Sequence, residues 1–392
     1  MLSQLRSDTP GCSIRIHLNN AGASLSPQPV LQAIHQHITL ESQIGGYEAA
    51  DAVADNIAGF YLAVARLLNT APHNISFAAN ATDAYARALS SIPFRAGDRI
   101  LTTENDYVSN QIAFLSLQKR MGVEVVRARD TEAGGVDVDH LESLIRQHKP
   151  ALVAVTHVPT NSGLVQPVEA IGRICRQYDV WYLVDACQSA GQLRLDVAQI
   201  GCDFLSATMR KYMRGPRGAG FLYVSDRALE AGLEMLLPDM RGAIWTDADT
   251  YQTTPDAKRF EYFEIPYALL LGSKAATDYA LSVGMNWIEA TVRSLAAHTR
   301  IKLAEISGVR VLDKGADLCG IVTCYSDAWQ PDTLIQSLAA ENINCRVSGG
   351  RAATIDFGKK GVPWALRISP HYYNTEDEIN QAVALLKTIT KH

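Results

Sequence analysis

Lys211 and Asp185 are the residues whose types and spacing point most directly to chemistry. Asp185 ends an apolar run, Trp181-Tyr182-Leu183-Val184, and Ala186-Cys187-Gln188 follows it. Lys211 comes about two dozen residues later, in Ser206-Ala207-Thr208-Met209-Arg210-Lys211-Tyr212-Met213-Arg214-Gly215-Pro216-Arg217-Gly218. A lysine amine can form a Schiff base with an aldehyde, and a carboxylate at a strand end can keep a pyridine nitrogen protonated. Pyridoxal 5′-phosphate needs both. A lone lysine near glycines is usually a solvated side chain; the Asp185–Gln188–Lys211 grouping is far more restrictive.

Other residues fit the same reading. Asn80-Ala81-Thr82-Asp83-Ala84 puts a hydroxyl and free backbone N–H groups at a helix start, a place suited to phosphate. Thr208 and Arg210, just ahead of Lys211, would complete a phosphate cup, Arg210 as a charge-assisted donor. Tyr107 follows a strand and is placed to stack on the ring; Gln188 is a donor for a ring oxygen. Asn161, after His157-Val158-Pro159-Thr160, sits in a turn at another strand end. Arg367 closes a late apolar strand and is the candidate for a substrate carboxylate, which arginine binds through two parallel hydrogen bonds.

Alternating strands and helices are expected to carry these groups. Short strands are predicted at 74–78, 98–103, 123–128, 151–156, 180–184 and 220–224. Helices are predicted at 49–68, 82–91 (capped by Thr82 or Asn80), 109–121, 140–148 and 168–178. This alternation implies an α/β fold with a mainly parallel sheet covered on both faces, and ligands in such sheets bind beyond the carboxyl ends of the strands. The stretch 240–261 reads as irregular. Helices at 267–282 and 285–305 follow, then strands at 309–312, 320–325 and 365–368, helices at 331–341 and 374–387, and an irregular loop at 346–361. The expected division is an N-terminal arm (1–15), a large cofactor-binding domain (16–265) and a smaller C-terminal α+β domain (266–392).

The 392 residues are 47% hydrophobic with a net charge of −5, enough for a large core and without the basic field that nucleic-acid binding requires. No apolar run approaches the roughly 20 residues needed to span a bilayer, and the first residues lack the apolar region of a secretion signal. The seven cysteines contain no CxxC pair and no histidine cluster accompanies them. Reduced thiols in a cytoplasmic protein, and no metal, are therefore expected.

As a set, His17-Leu18-Asn19-Asn20-Ala21-Gly22, Asn80-Ala81-Thr82, Asp185-Ala186-Cys187-Gln188, the Lys211 segment, Arg259-Phe260-Glu261 and Arg367 through Thr375 resemble the class V aminotransferases, fold-type I pyridoxal-phosphate enzymes. The resemblance covers nearly the whole chain. It implies a homodimer with the site at the subunit interface and a small amino-acid substrate. Lys211 would be the Schiff-base lysine. Asp185, Gln188 and Asn161 would contact the ring, and Tyr107 would stand where a histidine often stacks. Ala81, Thr82, Thr208 and Arg210 would hold the phosphate. Asn20, Ala21, Arg367 and His371 would contact substrate. A threonine that often follows Arg-Phe-Glu is replaced here by Tyr262.

One departure bears on the reaction. Cysteine desulfurases of this family carry a persulfide-forming cysteine on a loop shortly before the late arginine. Here 347–365 contains no cysteine, and Cys345 precedes the loop. The expected reaction is therefore β-elimination, cleaving the C–S bond of an S-substituted cysteine, in particular a sulfoxide conjugate like those handled by the thiol-histidine sulfoxide lyases of the family. Freed Lys211 would act as general base; Tyr107, His371 and Tyr372 are unranked candidates for proton delivery. Epimerisation or transamination at Cα, and desulfuration through Cys345, are the competing reactions.

Overall fold

The structure is a computed structural model that describes residues 1–390. Strand β1 (Ile16–His17) lies near the amino terminus. A seven-stranded sheet follows, built from β2 (Ile75–Ala78), β3 (Arg99–Thr103), β4 (Glu124–Ala128), β5 (Leu152–Thr156), β6 (Trp181–Asp185), β7 (Phe204–Thr208) and β8 (Gly220–Val224). Their order is β2-β8-β7-β6-β5-β3-β4, and only β8 runs against the others. Strands β5, β7 and β8 are buried at every position. That is the signature of a sheet covered on both faces, and it explains their near-continuous apolar sequences. The connection from β3 runs outward to β4 and that from β5 runs the other way to β6, so the crevice at the carboxyl ends of β3 and β5 is a switch point where ligands bind in such sheets.

Two segments expected to be irregular or continuous are neither. The exposed hairpin β9 (Ala243–Asp247) and β10 (Thr250–Thr253) occupies part of 240–261. The helix expected over 49–68 is two, Gly46–Ala52 and Ala54–Leu68, broken at Val53, whose φ of −121° and ψ of 24° leave the helical region.

The second sheet is antiparallel, in the order β11-β12-β15-β14, from β11 (Arg310–Val311), β12 (Val322–Tyr325), β14 (Arg346–Gly349) and β15 (Trp364–Ile368). Strand β13 (Ile343–Asn344) pairs in parallel with β1, tying the amino-terminal segment to this sheet. The loop expected at 346–361 is instead β14, a 3₁₀ turn and the helix Thr354–Lys360. A separate apolar cluster lies under the sheet, with Leu18, Leu334, Phe357, Leu366 and Leu386. The helix Tyr267–Val283 packs on Gln28–Ile44 and Ala54–Leu68 and joins the core of the large sheet. No helix of the described residues is long and apolar enough to cross a membrane.

Candidate active site

Asp185 and Lys211 emerge from adjacent strands. Asp185 is the last residue of β6, and Lys211 lies three residues beyond the end of β7. Asp185 is buried and fixed by two donors, the Cys187 backbone N–H to Oδ1 at 2.8 Å and Asn110 Nδ2 to Oδ2 at 3.0 Å. Burial pushes its pKa up; the two hydrogen bonds and the nearby Lys211 charge oppose the shift, and the Asp106 charge adds to it. Its carboxylate is thus costly to ionise without a cationic partner. Lys211 is also buried, and its Nζ lies 3.2 Å from Cys187 Sγ and 6.0 Å from the centre of the Tyr107 ring.

These groups line a cavity of about 290 Å³ together with Ala81, Thr82, Asn110, Thr208 and Arg210. At one end the helix Ala81–Ser90 begins, with Asn80 accepting from the Asp83 N–H at 3.0 Å. Asn80 is therefore the cap, and the first-turn N–H groups of Ala81 and Thr82 have no carbonyl partner within the helix. Gly220 lets β8 approach this turn: a Cβ there would lie 2.9 Å from the Asn80 carbonyl carbon and 2.5 Å from the Ala207 oxygen. Arg210 donates to the Gly22 carbonyl, which orients it along the cavity wall.

Arg367 sits beside this cavity with no carboxylate partner. Its Nη1 donates to Thr160 Oγ1 at 2.6 Å and to the Thr160 carbonyl at 3.2 Å, its Nη2 to Asn19 Oδ1 at 3.3 Å, and its buried Nε has no partner. Burial pulls its pKa down to about 10, with Arg210 and Arg346 lowering it further and the nearby Tyr212 and Tyr107 opposing. A buried guanidinium in this state gains most from an anionic ligand.

The structure does not bring every expected residue to the cavity. His371 is fully buried, its Nε2 2.8 Å from the Tyr212 carbonyl while Nδ1 accepts from the Tyr372 N–H, so both ring nitrogens are taken up by backbone. Asn20 Nδ2 donates to the His17 and Ser369 carbonyls and its Oδ1 accepts from Tyr373. The Ala21 N–H donates to Ser369 Oγ and its carbonyl accepts from Gln188. Gln188 Nε2 is used by Ala21 and by Thr160 Oγ1, leaving a buried, unpaired Oε1 in place of the expected donor. Asn161 Nδ2 donates to Asn105 Oδ1 and Asp356 Oδ2.

The Aminotransferase class-V family profile matches residues 16–382. The chain belongs to the class V aminotransferase family. Among its relatives, a probable cysteine desulfurase of Methanothermobacter thermautotrophicus is 27% identical over 383 residues, covering 96% of this chain and 94% of the relative. A probable hercynylcysteine sulfoxide lyase of Mycobacterium tuberculosis is 27% identical over 378 residues, covering 96% and 90%. An apo cysteine desulfurase structure from Thermococcus onnurineus NA1 superposes with a TM-score of 0.91 at 24% identity, over 99% of this chain and 98% of that one.

As a class V aminotransferase, the chain is a pyridoxal-phosphate enzyme of the cysteine desulfurase and C–S lyase group. The residues present fit the cofactor. The cavity offers a lysine amine, a buried acid that lacks a cationic partner of its own beyond that lysine, an aromatic face and, at one end, a helix start with Thr208 and Arg210. Three lining groups were not singled out as site residues from sequence. Asn110 points from the helix Val108–Met121 onto Asp185; Cys187 touches Lys211; and Arg217 borders the cavity beyond Arg210. Arg217 lies in the quoted lysine run, but the Asn110–Asp185 contact joins residues 75 apart and has no local signal.

Proposed function

We propose that this enzyme is a β-elimination lyase that cleaves the C–S bond of an S-substituted cysteine, with a cysteine sulfoxide conjugate as the substrate class. The observation that carries the reading is the absence of an available thiol where a desulfurase would need one. The 347–365 stretch has no cysteine, and the helix Thr354–Lys360 within it is held by Asp356 on Asn161 and by Lys359 on Glu104. Cys345 belongs to the apolar cluster of the small sheet, and burial alone pushes its pKa up to about 12. A thiol held protonated in a core is a poor sulfur acceptor. The relative named as a hercynylcysteine sulfoxide lyase supports the sulfoxide class.

Pyridoxal phosphate, when bound, supplies an electron sink for the Cα–H bond. Asp185 would hold a proton on the ring nitrogen, and Tyr107 would offer an aromatic face to the ring. Ala81, Thr82, Thr208 and Arg210, which line one cavity, would hold the phosphate. Arg367 takes the substrate carboxylate and fixes the Cα–H direction. Lys211 Nζ removes the α-proton as general base. The C–S electrons leave with sulfur as a sulfenate, and the three-carbon fragment hydrolyses to pyruvate and ammonia. A homodimer is part of this proposal. Its support is the group of exposed apolar side chains on and near the hairpin, where Trp245 is 77%, Leu236 74% and Leu237 75% exposed, since grouped apolar exposure marks interaction surfaces.

Product analysis with the Cys345→Ser variant tests the reading. Elimination predicts pyruvate and ammonia in equal amounts from a sulfoxide conjugate, unchanged by the substitution. Alanine as the main product, lost in the variant, would identify a desulfurase instead.

A further inference from the structure

Thr160 lies in the turn four residues beyond the end of β5 and touches two groups of the site. Its Oγ1 accepts from Gln188 Nε2 at 2.8 Å and from Arg367 Nη1 at 2.6 Å, and its carbonyl accepts from the same Nη1 at 3.2 Å. Chemistry fixes the direction of both contacts to Oγ1. A guanidinium can only donate. The Gln188 nitrogen also meets the Ala21 carbonyl at 3.0 Å, and a carbonyl can only accept, so the amide turns its N–H groups, not its oxygen, toward Thr160. Asn161, next in the chain, turns away to Asn105 and Asp356. Thr160 is thus the side chain of this turn that meets Arg367.

A threonine hydroxyl carries two acceptor lone pairs and one proton. The two donors occupy the lone pairs, so the Thr160 O–H points elsewhere, and among the described residues it has no acceptor. Thr160 is half-buried, so part of it faces open space. Arg367 is in a matching state. Its Nη1 is taken up by Thr160, while Nη2 donates to Asn19 Oδ1 and carries a second N–H without an acceptor among the described residues. Arg210 and Tyr107, which line the cofactor cavity, both act on the Arg367 charge, so these free donors lie beside that cavity. A free O–H next to a free guanidinium N–H suits one carboxylate, an acceptor-only group, and hydrogen bonds to an ionised acceptor are the strong ones.

We propose that Thr160 is a substrate-binding residue: its hydroxyl orients Arg367 and donates its own proton to the carboxylate that Arg367 binds. The inference rests on the assignment of Arg367 to the substrate carboxylate and is independent of which substrate bond then breaks. A ligand without a carboxylate gains nothing from this hydroxyl, so Thr160 contributes to the choice of an amino acid over its neutral derivatives.

The test compares L-alanine with L-alaninamide, which differ at the carboxyl group, by the change each makes in the visible absorbance of the holoenzyme's bound cofactor. The wild type, Thr160→Val, Thr160→Ala, Thr160→Ser and Arg367→Gln holoenzymes are titrated with both. The wild type is expected to bind alanine more tightly than the amide, and Arg367→Gln to lose that preference. Thr160→Val, similar in shape but without the hydroxyl, should cut the preference at least about tenfold by weakening alanine alone. Thr160→Ala should do the same, and Thr160→Ser should keep the preference. Equal weakening of both ligands in Thr160→Val and Thr160→Ala, or loss of the preference in Thr160→Ser, would overturn the proposal while leaving Arg367 in its role. A wild type without the preference, or an Arg367→Gln enzyme that keeps it, would overturn the Arg367 assignment and the proposal with it.

Discussion

Replacing Asn110 by alanine removes one of the two hydrogen-bond donors that hold the Asp185 carboxylate. A hydrogen bond to a charged group is worth about 1.5–3 kcal/mol, and one pKa unit corresponds to about 1.4 kcal/mol. Asp185 should therefore become harder to ionise by about one to two units. The sign follows from its surroundings. Burial already raises this pKa, and Asn110 is one of the groups lowering it, so its loss adds to the upward shift. Below that pKa Asp185 is neutral and no longer holds the ring proton, so activity falls on the acid side. In Asn110→Ala the acid limb of pyruvate release against pH should move up by about one to two units, and the pH dependence of the bound cofactor's visible absorbance should move with it. At the alkaline end of the plateau the rate should approach wild type. Asn110 also donates to Thr156 Oγ1 at 3.2 Å, so some thermal stability is lost as well. An unchanged acid limb, or a loss of activity uniform across pH, would show that Asn110 supports the fold without tuning Asp185.

Arg367→Gln removes a bidentate, charge-assisted contact; about 3–5 kcal/mol of binding lost from the transition state lowers kcat/KM by roughly two to four orders of magnitude, with cofactor content unchanged in the absorption spectrum. Gly220→Ala drives a methyl group into the Ala207 carbonyl and the Asn80 backbone; overpacking of about 1–3 kcal/mol should lower the unfolding temperature and weaken cofactor retention on dialysis. Trp245→Asp places a charge in the exposed apolar hairpin; sedimentation should show a shift from dimer toward monomer at low protein concentration, and an unchanged mass would remove the hairpin from the interface.

The central chemistry was legible because Asp185 closes a short apolar strand and Lys211 follows it about two dozen residues later, in a run rich in glycine and basic residues. Strand β7, which leads to Lys211, carries little strand signal in its sequence: Ser206 and Thr208 break its apolar run, and its central place in the sheet makes every position buried. Residues 346–361 looked irregular because their glycines and charges obscure a short edge strand and a seven-residue helix held in place by ion pairs. The polar supports were the least visible. Asp106 lies three residues beyond the end of β3, and its partners Thr102, Gln111 and Thr156 come from three different elements. His371 looked free in sequence because the Tyr212 carbonyl that its Nε2 meets comes beside it only when the Lys211 turn folds against the late strand.

The most direct measurement of the central claim is the rate of pyruvate release, coupled to lactate dehydrogenase, from a histidine-linked cysteine sulfoxide, S-alkyl cysteine, cystine and free cysteine. The account predicts rapid pyruvate formation from the sulfoxide conjugate and little from free cysteine. An intact cofactor spectrum with no pyruvate from any of the four would contradict it and point to epimerisation or transamination at Cα.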